Sequence, residues 1–149
     1  MKINIEEIQS RLTIDKDNLE QEILEQPNFY FLYGVMCAEA QKELNNAEEY
    51  EKVTRSEIFK ELKASPEKMT EKQIEAEYRT DPRHLDAVKK TTESQFNYDV
   101  LNAAQASFAQ RKYMLELLAR NNGSTQNGNV ETTREEIKKA VKVRRFKGE

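Results

Sequence analysis

The segment spanning residues 69–85 most constrains the fold, because it places two helix starts between two long helix-forming blocks. Thr70, followed three residues later by Gln73, matches a capping box in which side chains satisfy free backbone amides. Asp81 followed by Pro82 marks a second start, since aspartate caps helices well and proline is tolerated at the first helical position. Pro82 also disfavours helical backbone at Asp81, so the preceding helix should end just before it.

A long helix is predicted on each side of this segment, over about residues 29–63 and 82–120, because apolar residues recur there every three or four positions. The first stripe comprises Phe29, Leu32, Tyr33, Met36, Ala40, Leu44, Ala47, Tyr50, Ile58 and Leu62. The second comprises Leu85, Val88, Thr92, Phe96, Val100, Ala103, Ser107, Met114 and Leu117. Pro27 is expected to separate the first long helix from short helices before it. The predicted fold is all-α: a long antiparallel helical hairpin with short N-terminal helices.

The composition indicates that one copy of this hairpin does not bury enough apolar surface to be stable alone. Of the 149 residues, 34% are charged and 37% are hydrophobic, and only four are glycine and three are proline. This profile is typical of long helices with solvated faces. Thin apolar stripes bury little surface within one chain, so we expect the hairpin to assemble into an oligomer, for which a ring is one arrangement.

Several classes of protein do not fit the sequence. No run approaches the roughly 18 apolar residues of a membrane span, and the N-terminus lacks a signal-peptide core, so a cytoplasmic protein is expected. Cys37 is the single cysteine, which excludes an intramolecular disulfide. It lies in an apolar helical stretch, so we expect its side chain to be buried. His84 is the single histidine, which excludes a histidine-rich metal site and weakens any catalytic triad. We therefore predict no catalytic residue, metal or cofactor.

Charge divides the chain into an acidic body and a basic end. Residues 123–149 contain seven Lys and Arg and four acids, a balance of +3, so the net charge of −3 leaves −6 for residues 1–122. The sequence Asn121-Asn122-Gly123 predicts the end of the second long helix. We divide the chain into a hairpin and oligomerisation domain (1–122), a flexible polar linker (123–133) and a basic C-terminal segment (134–149).

The basic segment contains the first set of candidate nucleic-acid-binding residues. Its cations can neutralise phosphates, and its aromatic residue can stack on an exposed base. These candidates are Lys138, Lys139, Lys142, Arg144, Arg145, Phe146 and Lys147. The same segment could instead bind the acidic body of a neighbouring subunit, or only aid solubility. On the first long helix, Lys52, Arg55, Lys60 and Lys63 alternate with acids, which favours ion pairs between successive turns.

Four segments, in this order, resemble the phage UvsY-type recombination mediators: residues 14–19, the aromatic-rich residues 29–33, residues 69–85 and residues 110–118. The resemblance spans about residues 14–120. It rests on the order and spacing of the segments, since no single motif among them is diagnostic.

The resemblance implies a non-enzymatic, helical, ring-forming protein that binds single-stranded DNA without sequence preference. Such proteins help a RecA-like recombinase displace single-strand-binding protein and form a filament. DNA binding in the family uses Lys and Arg in the later part of the first long helix, where Lys52 and Arg55 fall here. The acidic surroundings of these two residues depart from that pattern and favour the basic segment. The alternative is a helical structural or assembly protein, similar to a phage scaffold or chaperone, that does not bind nucleic acid.

Overall fold

The computed structural model describes residues 3–66 and 69–146, with side chains described as far as residue 122. No strand occurs in these two ranges, which confirms the predicted all-α class. The helices are α1 (Ile5–Leu12), a single 3-10 turn (Lys16–Asn18), α2 (Leu19–Lys63), α3 (Glu71–Thr80) and α4 (Pro82–Phe146).

Helices α2 and α4 form an antiparallel hairpin, as predicted. Their contacts run in opposite sequence order along the pair. Near the connection, Glu61 on α2 forms an ion pair with Arg83 on α4, with 2.7 Å between Oε2 and Nη2. Towards the other end, the rings of Tyr33 and Phe108 stack with their centroids 4.5 Å apart.

Helix α3 occupies the connection and begins and ends where the sequence predicted. The Thr70 amide donates to Gln73 Oε1 over 2.9 Å, one half of the predicted capping box. Asp81 leaves the helical region and accepts from the Arg83 amide at 2.8 Å, so it caps the start of α4. Ile74 and Tyr78 of α3 are buried, because α3 contacts both long helices.

The start of α2 differs from the sequence prediction, because Pro27 lies inside the helix. Proline has no amide hydrogen to donate to the carbonyl of Ile23, and a proline inside a helix costs about 3 kcal/mol. Packing offsets this cost: Gln26 Nε2 donates to the Phe108 carbonyl at 2.6 Å, and Phe29 packs against the core on the other side of Pro27. The predicted break at this proline was therefore wrong.

The end of α4 also differs. The helix continues through Asn121-Asn122-Gly123 to Phe146, so the predicted end near Arg120 was wrong. Glycine inside a helix costs only about 1 kcal/mol relative to alanine, and asparagine less, so this sequence permits a helix end without enforcing one. The division into domain, linker and basic segment stays a prediction.

The main core lies between α1, α2 and α4. It contains Ile8, Tyr33, Cys37, Ala40, Leu101, Ala104 and Phe108. Ala40 and Ala104 let the long helices approach closely. At Gly34 the approach is also close, because a Cβ there would lie 3.1 Å from the side-chain Nε2 of Gln105. The predicted burial of Cys37 is confirmed, and burial raises the pKa of its thiol.

The stripe predicted on α4 has the right period, but most of it faces away from α2, and Val100 is the member that packs against the main core. Leu85, Phe96, Met114 and Leu117 are 52–59% exposed. The residues that α4 buries lie on a different face of the helix: Ala87, Leu101, Ala104, Phe108, Arg111 and Leu115. Helix α4 therefore has two faces with apolar residues, and periodicity alone could not distinguish them. We call Leu85, Val88, Phe96, Met114 and Leu117 the outer stripe.

Candidate nucleic-acid interface

Lys52, one of the two predicted binding residues on α2, is free to reach a ligand. Its side chain is 69% exposed, and its ammonium lies 3.6 Å from Glu49 Oε2. Exposed ion pairs of this kind contribute between about 0 and 1 kcal/mol, because water screens them. A phosphate can therefore replace Glu49 at little cost.

Arg55 is held differently. Its guanidinium carbon lies 5.0 Å from the centroid of the Tyr78 ring. This is a cation–π arrangement, in which the planar guanidinium stacks on an aromatic face. Tyr78 is itself buried, and the ring of His84 meets it edge-on with the centroids 5.1 Å apart. No carboxylate of the described residues forms an ion pair with Arg55, contrary to the ion pairing expected on this helix.

Sequence reasoning missed the part of Tyr78 in this site. The tyrosine lies on α3, and only the fold of the connection brings it under a side chain of α2. Lys52 and Arg55 are three residues apart, so they lie on one side of α2, together with Phe59 and Lys63 at the next helical positions. We call the surface formed by Lys52 and Arg55 the flank. The flank therefore combines two outward cations with an aromatic support.

Carboxylates neutralise the two arginines of the connection. Arg79 pairs with Glu75 at 2.6 Å, and Arg83 pairs with Glu61 at 2.7 Å and Asp81 at 3.0 Å. Hydrogen bonds from the Arg83 side chain lower the pKa of Glu61 and Asp81, while these carboxylates raise the pKa of Arg83. Lys52 and Arg55 are accordingly better placed than these arginines to bind an anion.

The other predicted binding residues lie near the end of the chain. Lys138, Lys139, Lys142, Arg144, Arg145 and Phe146 belong to the last part of α4, where the backbone is described but the side chains are not. Lys147 lies outside the described residues. Their part in binding stays a prediction.

A buried polar cluster at the opposite end of the hairpin escaped the sequence analysis. Arg111 is 4% exposed, forms an ion pair with Glu22 and donates to Gln26 Oε1 at 2.8 Å. The amide of Asp15 donates to Glu22 Oε1 at 2.9 Å. These contacts join the N-terminal segment, α2 and α4. The sequence contained one indication: Arg111 lies at helical spacing from the inward Phe108 and would otherwise interrupt that face.

We expect low pH to weaken this cluster, because it protonates the Glu22 carboxylate. The hydrogen bond from the Asp15 amide lowers the pKa of Glu22 below its usual range, burial opposes the shift, and Arg111 reinforces it. A carboxyl with a depressed folded-state pKa stabilises the protein above its unfolded-state pKa, and this contribution is lost as the pH falls through the folded-state value. The wild-type protein should therefore lose more stability than Glu22→Gln between about pH 7 and about pH 3.

Urea unfolding midpoints of both proteins across that pH range measure this difference. The gap between the two midpoints should narrow as the pH falls. Glu116→Gln is the matched control, because the ion pair of Glu116 with Lys112, at 3.8 Å, is exposed. A gap between wild type and Glu22→Gln that stays constant would contradict the assignment.

Within residues 3–66 and 69–122, whose side chains are described, no group of three His, Cys, Asp or Glu residues could hold a metal ion. No helix in the described part of the chain is long and apolar enough to cross a membrane. No family model, curated protein or solved structure matches the chain.

Proposed function

We propose that this chain is a non-enzymatic recombination mediator of the cytoplasm, which is the host-cell cytoplasm if the chain is of phage origin. It binds single-stranded DNA without sequence preference and promotes loading of a RecA-like recombinase onto DNA covered by single-strand-binding protein. The observation that carries the proposal is the flank of Lys52 and Arg55, with Arg55 supported by Tyr78 and unpaired among the described residues. This flank lies in the region that binds DNA in the family that the sequence resembles.

The chemistry of the flank suits such a protein. Two cations bind phosphates without reading bases, and salt weakens the contact because binding releases counterions. Acidic residues such as Glu49 and Glu51 lie nearby on α2 and limit the affinity of one copy. A mediator must release DNA to the recombinase, so weak sites repeated over several subunits are appropriate, since avidity then replaces affinity.

The outer stripe supports the proposed self-association. Its ends, Leu85 and Leu117, lie on one face of α4 and are separated by about 48 Å at 1.5 Å per residue. Phe96 in its interior is 59% exposed. Exposed apolar side chains that recur along one helix face form a stripe that a second helix can cover. We propose that copies pack along the outer stripe, and that a ring would display the Lys52 and Arg55 flank many times.

Replacing both Lys52 and Arg55 by alanine should weaken binding to a labelled single-stranded oligonucleotide. Each phosphate contact on a single strand contributes about 0.7 to the slope of log K against log salt, so the slope should fall by about 1.4. Fluorescence anisotropy over a series of salt concentrations measures both effects. The control is Lys89→Ala with Lys112→Ala, which removes two exposed lysines from α4. An unchanged slope in the Lys52 and Arg55 variant would remove the flank from the proposal.

Deletion of residues 123–149 tests the basic segment in the same assay. We expect lower affinity, and we expect the Lys52 and Arg55 variant of the shortened chain to lose the remaining salt-dependent binding. If the deletion leaves the affinity unchanged, the basic segment takes no part.

The second candidate is a helical structural or assembly protein without nucleic-acid binding. The outer stripe favours it as much as it favours the mediator, because both require packing between copies. This candidate predicts no retention on single-stranded DNA at low salt, whereas the mediator is retained.

A further inference from the structure

One side of the seam between α2 and α4 carries an open groove, near the end of the hairpin opposite α3. The groove has a volume of about 700 Å³. Ile23, Pro27 and Tyr30 line it from α2, and Ala109, Tyr113 and Ala119 line it from α4. Its charged lining residues, Lys112 and Glu116, lie 3.8 Å from each other and leave the groove without net charge. Such a groove fits an apolar surface.

Projecting apolar side chains lie directly beside this groove. Phe31 is 73% exposed and Leu24 is 65% exposed. Leu24, Pro27 and Phe31 share one face of α2, because they are three and four residues apart, and Ile23, Pro27 and Tyr30 share the adjoining face in the same way. Pro27 lies on both faces and therefore connects the groove with the projecting side chains of Leu24 and Phe31. We call Ile23, Leu24, Pro27, Tyr30, Phe31 and Tyr113 the end patch.

The size of the end patch matches one half of a stable protein interface. A large aromatic side chain presents about 150–250 Å², so the exposed fractions of Ile23, Leu24, Tyr30, Phe31 and Tyr113 amount to on the order of 600 Å². A standard interface buries about 800 Å² per partner. The alanines and Pro27 in the groove supply further apolar area. Because the patch contains both a projection and a depression, it can be complementary to itself.

We propose that the end patch binds the end patch of a second copy about a two-fold axis, with Phe31 and Leu24 of each copy seated in the groove of the other. An interface between identical patches closes after two copies, whereas contacts between different patches continue into rings or filaments. The end patch thus adds a dimer contact to the packing along the outer stripe. This inference rests on the proposed self-association but concerns a different surface.

Four variants of the full-length chain separate the two surfaces: Phe31→Asp in the end patch, Phe96→Asp in the outer stripe, both together, and Val53→Asp. Sedimentation equilibrium gives the mass of each over a range of concentrations. All three positions are exposed, so folding should be retained, and circular dichroism checks this. We expect Phe96→Asp to stop at a dimer at every concentration, and the double variant to be a monomer. Phe31→Asp should halve the wild-type mass, and Val53→Asp, which lies on α2 outside the end patch, should not change it.

The outcomes distinguish this inference from the proposed function. If Phe31→Asp has the wild-type mass, or if Phe96→Asp is already a monomer, the end patch does not bind a second copy, and the groove is left to another partner. Continued growth of Phe96→Asp with concentration would overturn the two-fold contact in favour of a head-to-tail one. The mediator proposal fails separately, when the wild-type protein does not bind single-stranded DNA.

Discussion

Replacing Arg111 by alanine is expected to lower the free energy of unfolding by about 3 kcal/mol, because it removes a buried side chain and leaves the partly buried Glu22 carboxylate without its partner. Glu22 loses its ion pair, and Gln26 Oε1 loses the donor that lies 2.8 Å away. The carbonyl of Thr13 lies 3.5 Å from an Arg111 nitrogen, so the N-terminal segment also loses an attachment to α4. Chemical denaturation monitored by helical circular dichroism measures the loss.

Two further variants show whether charge burial causes this effect. Lys112→Ala removes the adjacent, exposed cation and should change the free energy of unfolding by no more than about 0.5 kcal/mol. Combining Arg111→Met with Glu22→Gln removes both charges and should cost less than Arg111→Ala alone, since no buried ion is left unpaired. If the double variant is as unstable as Arg111→Ala, the loss comes from packing and not from the unpaired carboxylate.

Phe108→Ala should cost a similar amount, about 3–5 kcal/mol, because it creates a cavity in the main core. The Phe108 side chain is fully buried and contacts two aromatic rings, with centroids 4.5 Å from Tyr33 and 5.7 Å from Phe29. Both rings lie on α2, so the cavity opens at the seam of the hairpin. Thermal and urea denaturation measure the change.

Phe96→Ala is the matched control for this substitution. Phe96 lies on the same helix but is 59% exposed, so its loss should change the stability of one hairpin little. The comparison is made at concentrations where the protein is dissociated, because the outer stripe is proposed to pack against other copies. Equal destabilisation by the two alanines would contradict the assignment of Phe108 to the inward face of α4.

The connection shows where local chemistry predicts structure well. The Thr70 and Gln73 capping box and the Asp81 cap act within a single turn, so their effect can be inferred from neighbouring residues. The site shows the opposite. Lys52 and Arg55 could be selected from sequence, but the support of Arg55 by Tyr78 depends on α3 folding back against α2.

The two errors at helix boundaries have a common cause. Pro27 and Gly123 are both unfavourable inside a helix, and a sequence rule treats each as an end. At Pro27, the contact of Gln26 with the Phe108 carbonyl and the packing of Phe29 offset the local cost. Such contacts join residues some eighty positions apart, which a local rule does not include.

The sequence by itself determined the all-α class, the antiparallel hairpin and its connection, because helical period and capping are local properties of the chain. Only the tertiary structure decided which face of α4 packs against α2. Helix α4 has apolar residues on both faces, and the choice depends on the fit of Phe108 and Arg111 against α2. The face that was predicted to be buried is left outward as the outer stripe, and packing between copies is proposed to cover it.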